Sequence, residues 1–251
     1  MALELIFWAA VGLLVYTLAG YPLLLRALVA LKGEGERAAE TTDAELPAVS
    51  LMIAAHDEEA VIERRIANAR CLDYPAERLQ LIVASDGSVD RTVELAERAG
   101  ADVVLDLPRA GKVAALNAAV ERASGSVLAF SDANAGWEPD ALRRLVERLA
   151  DPEVGYVCGA VRFDDPGGDN QEGLYWRYEM AVRELESKLG GITAGNGAIN
   201  AVRRDAYVSL PPGRGQDICF PFLMVKRGLR PVYEPRALAS EPMAATIGDE
   251  L

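Results

Sequence analysis

The stretch VSLMIAAHDEE, residues 49–59, decides the fold of this chain. A short apolar run, Val49–Ala54, ends abruptly in the polar residues His56–Glu59. An apolar run of this length is typical of a buried strand. We expect the acidic residues behind it to begin a helix, since a helix N-terminus favours negative charge. The stretch therefore predicts a strand that leads into a helix at its carboxyl end.

The same pattern recurs three times further along the chain. Short apolar runs at Leu79–Ala84, Asp102–Leu105 and Val127–Phe130 predict three more strands, with amphipathic segments between them. Four strand–helix repeats predict an α/β fold with a Rossmann-like, mostly parallel, doubly wound sheet. Ligands of such sheets lie beyond the carboxyl ends of the strands, where Asp86 and Asp132 fall. We therefore expect these polar residues to share one site.

Two phosphate-binding signatures are absent from the sequence. No GxGxxG follows the first predicted strand, and GxxxxGK[ST] occurs nowhere in the chain. These signatures mark dinucleotide-cofactor and P-loop sites respectively. Their absence argues against both classes.

Composition narrows the classes further. The formal net charge of −12 argues against a nucleic-acid-binding protein, because the phosphate backbone requires a basic surface. It is compatible with an anionic substrate, since a divalent cation can lie between carboxylates and phosphates. The three cysteines are scattered without a CxxC spacing, which argues against a disulfide framework or a zinc site. With one histidine in the chain, a histidine-rich metal site is excluded.

The N-terminus predicts a membrane anchor. No charged residue occurs from Leu5 to Leu25, and a helix of that length spans about 30 Å, the thickness of a bilayer core. Arg26, Lys32 and Arg37 follow the segment and no cation precedes it, which predicts a cytoplasmic location for the rest of the chain. A signal peptide or a buried helix of a soluble protein are the alternatives.

These patterns divide the chain into three parts. We predict an anchor at residues 1–31, a polar linker at residues 32–46 and a catalytic α/β domain at residues 47–251. The expected location is the inner, cytoplasmic membrane, which the chain crosses once.

Three residues in the first half have the chemistry of a phosphate or metal site. Asp132 and Asn134 stand two apart after an apolar run, so both could reach one ion if the strand continued through them. Lys112 follows Gly111 at a predicted helix start, where its charge and the helix N-terminus could meet a diphosphate. The simpler alternatives are an Asx turn and a solvated surface lysine.

The second half adds a small-residue loop and a helix with an acidic start. Gly195 and Asn196 lie in the loop ITAGNGA, whose glycines permit close approach to a ligand or simply make a turn. Asp217 opens a helix, where a carboxylate is either functional or a cap. We expect the apolar residues of this helix to pack inward, namely Ile218, Phe222, Leu223 and Val225.

Taken in order, these segments resemble the family 2 glycosyltransferases, which have the GT-A fold. The resemblance covers about Val49–Glu241 and rests on AAHDE (54–58), VASDGS (83–88), GKVAALN (111–117), SDAN (131–134), AGNG (194–197), QD (216–217) and KRGL (226–229) leading to VYEP (232–235). It implies an inverting enzyme that moves a sugar from a nucleotide-diphosphate sugar to a saccharide or lipid-linked acceptor.

The resemblance also implies a role for each matching position. Ala54, His56 and Glu58 line the donor nucleotide pocket, Asp86 hydrogen-bonds the base, and Lys112 lies near the phosphates. Asp132, with Asn134 beside it, holds a divalent metal, Mg²⁺ or Mn²⁺, on the donor diphosphate. Asp217 is the catalytic base, and Gly195 and Asn196 form the acceptor-side loop.

The sequence departs from the family pattern in two places. Asn134 replaces the second acid of the metal motif, and Gln216 replaces the acid usually found before the base. Neither the further membrane spans of many family members nor the QxxRW motif of the processive ones appears after this domain. Together with Asn134, this leads us to expect transfer of single sugars rather than polymer export. The alternatives are a sugar nucleotidyltransferase and an inactive, membrane-bound paralogue that binds a nucleotide.

Overall fold

The computed structural model describes residues 1–33, 42–164 and 171–242. The helices are α1 (Ala2–Val15), α2 (Tyr21–Lys32), α3 (Ile62–Arg70), α4 (Thr92–Arg98), α5 (Lys112–Arg122), α6 (Ala141–Leu149), α7 (Gln171–Leu189) and α8 (Gln216–Lys226). The strands are β1 (Val49–Ala55), β2 (Leu79–Asp86), β3 (Val103–Leu107), β4 (Val127–Asp132), β5 (Gly136–Trp137), β6 (Val154–Asp164), β7 (Asn200–Arg203) and β8 (Arg230–Pro242).

The described strands form one mixed sheet in the order β3-β2-β1-β4-β7-β6-β8-β5. The four predicted strands are parallel neighbours, which confirms the doubly wound α/β prediction. Strand β7 is antiparallel to both β4 and β6, so β6 and β8 run in the same direction as β1–β4. The carboxyl ends of these six strands therefore lie at one edge of the sheet, which we call the catalytic edge.

Helices α1 and α2 form one continuous N-terminal helix from Ala2 to Lys32, and a π turn at Tyr16–Gly20 joins them. It is the one helix in the described parts of the chain that is long and apolar enough to cross a membrane. Its most apolar 18-residue window has a mean hydropathy of 2.0 and none of it is buried, which argues against a soluble core helix. Within the predicted linker, residues 34–41 lie outside the described residues, and Leu46 is buried in the core.

Helix α8 contradicts the predicted inward face. Ile218, Phe222 and Val225 are 55%, 58% and 63% exposed. Phe220 and Met224 are buried instead, because Phe220 lies among the aromatic rings of Phe130, Tyr156 and Tyr207. The aromatic cluster sets the rotation of the helix, and the sequence periodicity could not show it. Leu223 does pack partly against the core, as predicted.

A buried serine ties the amino ends of the first strands together. Ser50 Oγ donates to Gln80 Oε1 at 2.6 Å and accepts from the amides of Ser124 and Gly125 at 3.1 and 2.9 Å. The turn before β4 therefore lies directly against β1. A Cβ atom at Gly125 would lie 2.5 Å from the backbone nitrogen of Ser50.

We predict that Gly125→Ala destabilises the fold by about 1–3 kcal/mol, because backbone atoms must move to admit the methyl group. Thermal and urea unfolding followed by circular dichroism measure the change. Gly190→Ala is the matched control, since no heavy atom lies within 4 Å of its added methyl group. Equal stability of the two variants would contradict the close packing of this turn.

Candidate active site

Two loops at the catalytic edge are joined by hydrogen bonds from backbone amides. The amides of Asp57, Glu58 and Glu59 donate to Ser88 Oγ, Thr92 Oγ1 and Asp90 Oδ2 at 3.1, 2.7 and 3.0 Å. Residues 56–59 were predicted to begin a helix, and that prediction is wrong: α3 begins at Ile62. The backbone amides that would begin a helix instead donate to side chains of the neighbouring loop. Asp57 also has a left-handed φ of 54°, which is incompatible with a helix start.

Strand register brings the first donor-pocket candidates together. Ala54 pairs with Ala84 of β2 on one side and with Asp132 of β4 on the other. His56 Nδ1 donates to the carbonyl oxygen of Asp86 at 2.9 Å. These residues lie together at the catalytic edge, as the strand pattern predicted.

Asp86 holds the loop that precedes α5. Its buried carboxylate accepts from the amide of Ala110 at 2.7 Å and from that of Gly111 at 3.0 Å to each oxygen. The guanidinium of Arg109 lies 3.7 Å from the same carboxylate. This contact fixes the start of α5 at Lys112, and Gly111 permits the turn because its φ is 93°.

Lys112 and Asp132 form an ion pair across the site. Asp132 is the last residue of β4, and residues 133–134 form a turn. The strand therefore ends before Asn134. Asp132 and Asn134 were expected to point the same way only if the strand continued through both, so that prediction is wrong. The turn is closed by the backbone, since the amide of Ala135 donates to the carbonyl of Asp132 at 3.4 Å.

The carboxylates around Asp132 carry negative charge in excess. Burial, followed by Asp132, raises the pKa of Glu241 to about 7, and Lys112 opposes the rise. Burial, then Asp132 and Asp90, also raises the pKa of Glu58, while His56 lowers it. A divalent cation beside Asp132 would relieve this repulsion, so the residues present fit such an ion.

The protein alone does not complete a metal site. Across residues 1–33, 42–164 and 171–242, no three His, Cys, Asp or Glu side chains converge to hold an ion. A cation on Asp132 must therefore take further oxygen ligands from elsewhere, and a diphosphate supplies them.

A buried arginine lies beneath the acidic group. Arg65 is 2% exposed, donates from Nε to Ser131 Oγ at 3.1 Å and from Nη1 to Asn68 Oδ1 at 2.7 Å, and stacks on Trp137. Burial lowers the pKa of Arg65 to about 9, and Asp132 acts in the opposite direction. The guanidinium of Arg65 therefore supplies positive potential beneath the carboxylate of Asp132.

The small-residue loop before β7 bridges the two halves of the site. A Cβ atom at Gly197 would lie 3.1 Å from Lys112 Nζ and 3.4 Å from Asp132 Oδ2. Two residues away, the amide of Gly195 donates to the backbone carbonyl of Asp217 at 2.8 Å. The loop therefore places the N-terminus of α8 on the same edge as Asp132.

Asn196 shapes the loop through its side chain. Its Nδ2 donates to the carbonyl of Gly159 at 2.6 Å, and its Oδ1 accepts from the amide of Ile199 at 2.9 Å. Both ends of the amide group are used within the protein. The side chain of Asn196 thus positions the loop.

Tyr156 and Gln216 surround Asp217 with buried polar atoms. Tyr156 Oη and Gln216 Nε2 have no hydrogen-bond partner among the described residues. A side chain at Gly195 would collide with the Tyr156 hydroxyl. Burial, then Cys158 and Asp217, raises the pKa of Tyr156, so its hydroxyl stays protonated as a donor. Both donors are enclosed by the protein beside the N-terminus of α8.

Arg65, Tyr156 and Glu241 were not among the site residues predicted from the sequence. Arg65 had a usable signal, because it shares the buried face of α3 with Ile62, Ile66 and Ala69, where a charge is unusual. Tyr156 lies in an apolar strand, and Glu241 reaches the site through the pairing of β8 with β6. Nothing in their local sequence indicates either position.

The chain is similar in sequence to known glycosyltransferases. The sequence profile described as "Glycosyl transferase family 2" matches residues 50–210. An N-acetylglucosaminyltransferase of Rhizobium meliloti (strain 1021) is 27% identical over 225 residues, which cover 80% of this chain and 53% of that protein. The chain spans about half the length of several curated relatives it matches.

Two solved structures share the fold. The mannosyltransferase PcManGT from Pyrobaculum calidifontis, in complex with GDP-Man and Mn²⁺, has a TM-score of 0.79 and 25% identity, covering 95% of this chain and 69% of that one. Glucosyl-3-phosphoglycerate synthase from Mycobacterium tuberculosis, in complex with Mn²⁺, UDP and glucosyl-3-phosphoglycerate, has a TM-score of 0.60 and 26% identity. The coverage is 86% of this chain and 81% of the synthase.

We predict that Asp86→Asn loosens the loop before α5, because an amide group can accept fewer hydrogen bonds from the backbone than a carboxylate. Hydrogen exchange at the amides of Ala110 and Gly111 should accelerate at least about tenfold, the equivalent of roughly 1.4 kcal/mol. Asp106→Asn, at an exposed position of β3, is the control and should leave both amides protected. Unchanged exchange in Asp86→Asn would show that the loop is held by other contacts.

Proposed function

Because the chain belongs to glycosyl transferase family 2, we propose that it transfers a sugar from a nucleotide-diphosphate sugar to an acceptor hydroxyl with inversion at the anomeric carbon. One observation carries the proposal: the loop at Gly195–Gly197 connects Asp132 with Asp217 at a single edge of the sheet. This proximity supports a site in which Asp132 holds the metal and diphosphate and Asp217 acts as the base.

The donor is bound on the β1–β4 side of the site. Ala54, His56 and Glu58 line the nucleotide pocket, and Asp86 shapes it through the loop at 109–111 while facing the base. Lys112 lies against the diphosphate, where it is free to exchange its contact with Asp132 for one with a phosphate oxygen. The buried charge of Arg65 favours the anionic donor from below.

Asp132 would hold a divalent metal, Mg²⁺ or Mn²⁺, with Asn134 as a neutral oxygen ligand after a change in the turn. Such an ion neutralises charge on the departing nucleoside diphosphate. Two structural neighbours carry Mn²⁺ with GDP-Man or with UDP, which supports the metal and the diphosphate while leaving the base open between them.

Asp217 is the proposed catalytic base. Its carboxylate takes the proton of the acceptor hydroxyl while the hydroxyl oxygen bonds to the anomeric carbon, and the bond from that carbon to the diphosphate oxygen breaks. One carboxylate suffices, since no glycosyl-enzyme intermediate is formed.

Two other functions are less well supported. A sugar nucleotidyltransferase would require a glycine-rich basic loop after β1, and the chain has AHDE at residues 55–58. An inactive paralogue is favoured by Asn134 and Gln216, yet the acid at position 217 and the Lys112–Asp132 pair are both retained. Release of pyrophosphate from a sugar 1-phosphate and a nucleoside triphosphate would support the nucleotidyltransferase.

We further propose that residues 1–31 anchor the enzyme in the inner, cytoplasmic membrane, with the domain at 47–251 in the cytoplasm and residues 32–46 as the linker. Arg26 and Lys32 follow the apolar segment and support this orientation. The acceptor is a saccharide or a lipid-linked molecule in surface polysaccharide or glycolipid synthesis.

Asp217→Asn should abolish transfer and leave donor binding within about twofold of the unchanged protein, because it removes a proton acceptor and keeps the side-chain shape. Transfer is measured with labelled nucleotide sugars in the presence of Mn²⁺, and binding by calorimetry with the nucleoside diphosphate. Asp205→Asn, at an exposed position, is the matched control. Retained turnover in Asp217→Asn would move the base elsewhere.

Asp132→Asn and Asn134→Asp test the metal assignment in opposite directions. Asp132→Asn should weaken Mn²⁺-dependent binding of UDP or GDP at least about tenfold, and Asn134→Asp should strengthen it, since carboxylates bind hard cations better than amides do. Calorimetry with and without Mn²⁺ measures both effects. Equal Mn²⁺ dependence in Asp132→Asn and the unchanged protein would contradict a metal on Asp132.

A further inference from the structure

Helix α7 begins at the catalytic edge and runs away from it. Trp176 Nε1 donates to the carbonyl of Val161 at 2.9 Å, and its ring contacts Phe163, whose partner in β8 is Glu241. At the other end of α7, Ser187 Oγ accepts from the amide of Tyr233 at 2.9 Å, nearer the middle of the sheet. The direction of α7 relative to the active site is therefore fixed.

The N-terminal helix lies beside α7 and runs in the same direction. Tyr178 Oη donates to the carbonyl of Thr17 at 3.0 Å, and Tyr21 Oη donates to Glu186 Oε1 at 2.7 Å. Further along, Lys32 Nζ donates to the last carbonyls of α7, at Lys188 and Leu189, at 3.0 and 2.8 Å. Leu25 is buried in this contact region. The helix is thus held against the domain at both ends of the contact.

The π turn in this helix explains the first of these bonds. In a π turn each carbonyl pairs with the amide five residues on, and for Thr17 that position is Pro22, which has no N–H. The carbonyl of Thr17 therefore needs a donor from outside its own helix. Tyr178 supplies it, which ties the position of α7 to a specific point of the apolar segment.

These directions place the free part of the apolar helix beyond the catalytic edge. Residues before Thr17 continue past the contact with Tyr178, on the side where α7 begins. At about 1.5 Å per residue, a hydrocarbon core of about 30 Å takes roughly 20 residues, which matches the uncharged segment from Leu5 to Leu25. Tyr178, which contacts Thr17, then lies at the level of the bilayer, and Trp176 lies close to that level.

We infer that the catalytic edge faces the membrane and that the acceptor is an amphiphile embedded in it, with its sugar-accepting hydroxyl or phosphate at the bilayer surface. Tyr21, Trp176 and Tyr178 have the ring chemistry that membrane interfaces favour. The inference rests on the proposed transfer reaction and selects the lipid-linked acceptor over a free saccharide. Such an acceptor meets Asp217 from the bilayer side without leaving its hydrocarbon environment.

The orientation can be tested with two labels on one helix. Arg177→Cys and Lys188→Cys are placed separately in a Cys71→Ser/Cys219→Ser background, which removes the more accessible thiols and keeps the buried Cys158. The two sites are three helical turns apart on the same face of α7, about 16 Å along its axis. Each full-length protein is labelled with bimane and inserted into phosphatidylethanolamine–phosphatidylglycerol vesicles that contain brominated acyl chains.

We expect bromine to quench the label at position 177 severalfold more than the label at position 188. Equal quenching, or stronger quenching at position 188, would overturn the orientation. Circular dichroism of the labelled proteins confirms that both are folded, so that a difference in quenching reports depth alone.

The acceptor class is tested with the unchanged full-length protein, Mn²⁺ and a panel of labelled UDP- and GDP-sugars. Vesicles of total bacterial lipid are compared with vesicles of synthetic phosphatidylcholine that are supplied with water-soluble oligosaccharides. We expect label in the chloroform–methanol phase with the bacterial lipid, at least tenfold above the phosphatidylcholine vesicles. Label that stays in the aqueous phase in both samples would overturn the lipid acceptor.

Release of nucleoside diphosphate, measured in the same samples, separates the two claims. Release with label confined to the aqueous phase contradicts the lipid acceptor and leaves the transferase intact. Absence of both donor binding and release across the panel contradicts the proposed function itself.

Discussion

The pairing of β1 between β2 and β4 is the constraint on which the rest of the structure depends. It sets Ala54 level with Ala84 and Asp132, so that three loops begin at the same height. A shift of one residue in either ladder would turn every side chain of that strand to the opposite face. The Ser50 contact at the other end of these strands stabilises the same register.

Charge at the site is arranged in layers around Asp132. Lys112 pairs with it from above, and the buried guanidinium of Arg65 lies below. Glu58 and Glu241 stand beside it with raised pKa values, so the site contains more carboxylate than its cations neutralise. A polar cleft of this kind is suited to a ligand that arrives with its own counter-ion, as a metal–diphosphate does.

Loops, more than regular elements, decide the geometry of the site. The backbone amides that could have begun a helix at residues 57–59 bond to the neighbouring loop, and the carboxylate of Asp86 is used to hold the turn before Lys112. Gly195 and Gly197 matter because a side chain at either position would meet Tyr156 or Lys112. A similar constraint operates in the N-terminal helix, where Pro22 leaves the carbonyl of Thr17 to accept from Tyr178.

The sequence by itself determined the strand–helix alternation, the apolar N-terminal helix and the family, because these depend on local periodicity and on ordered motifs. Tertiary structure alone decided the exposed stripe on α8, since the aromatic cluster around Phe220 sets the rotation of that helix. It also decided the turn at Asn134 and the recruitment of Glu241 through β8. Such contacts join residues that are far apart in the chain, and the local sequence does not indicate which residues will be in contact.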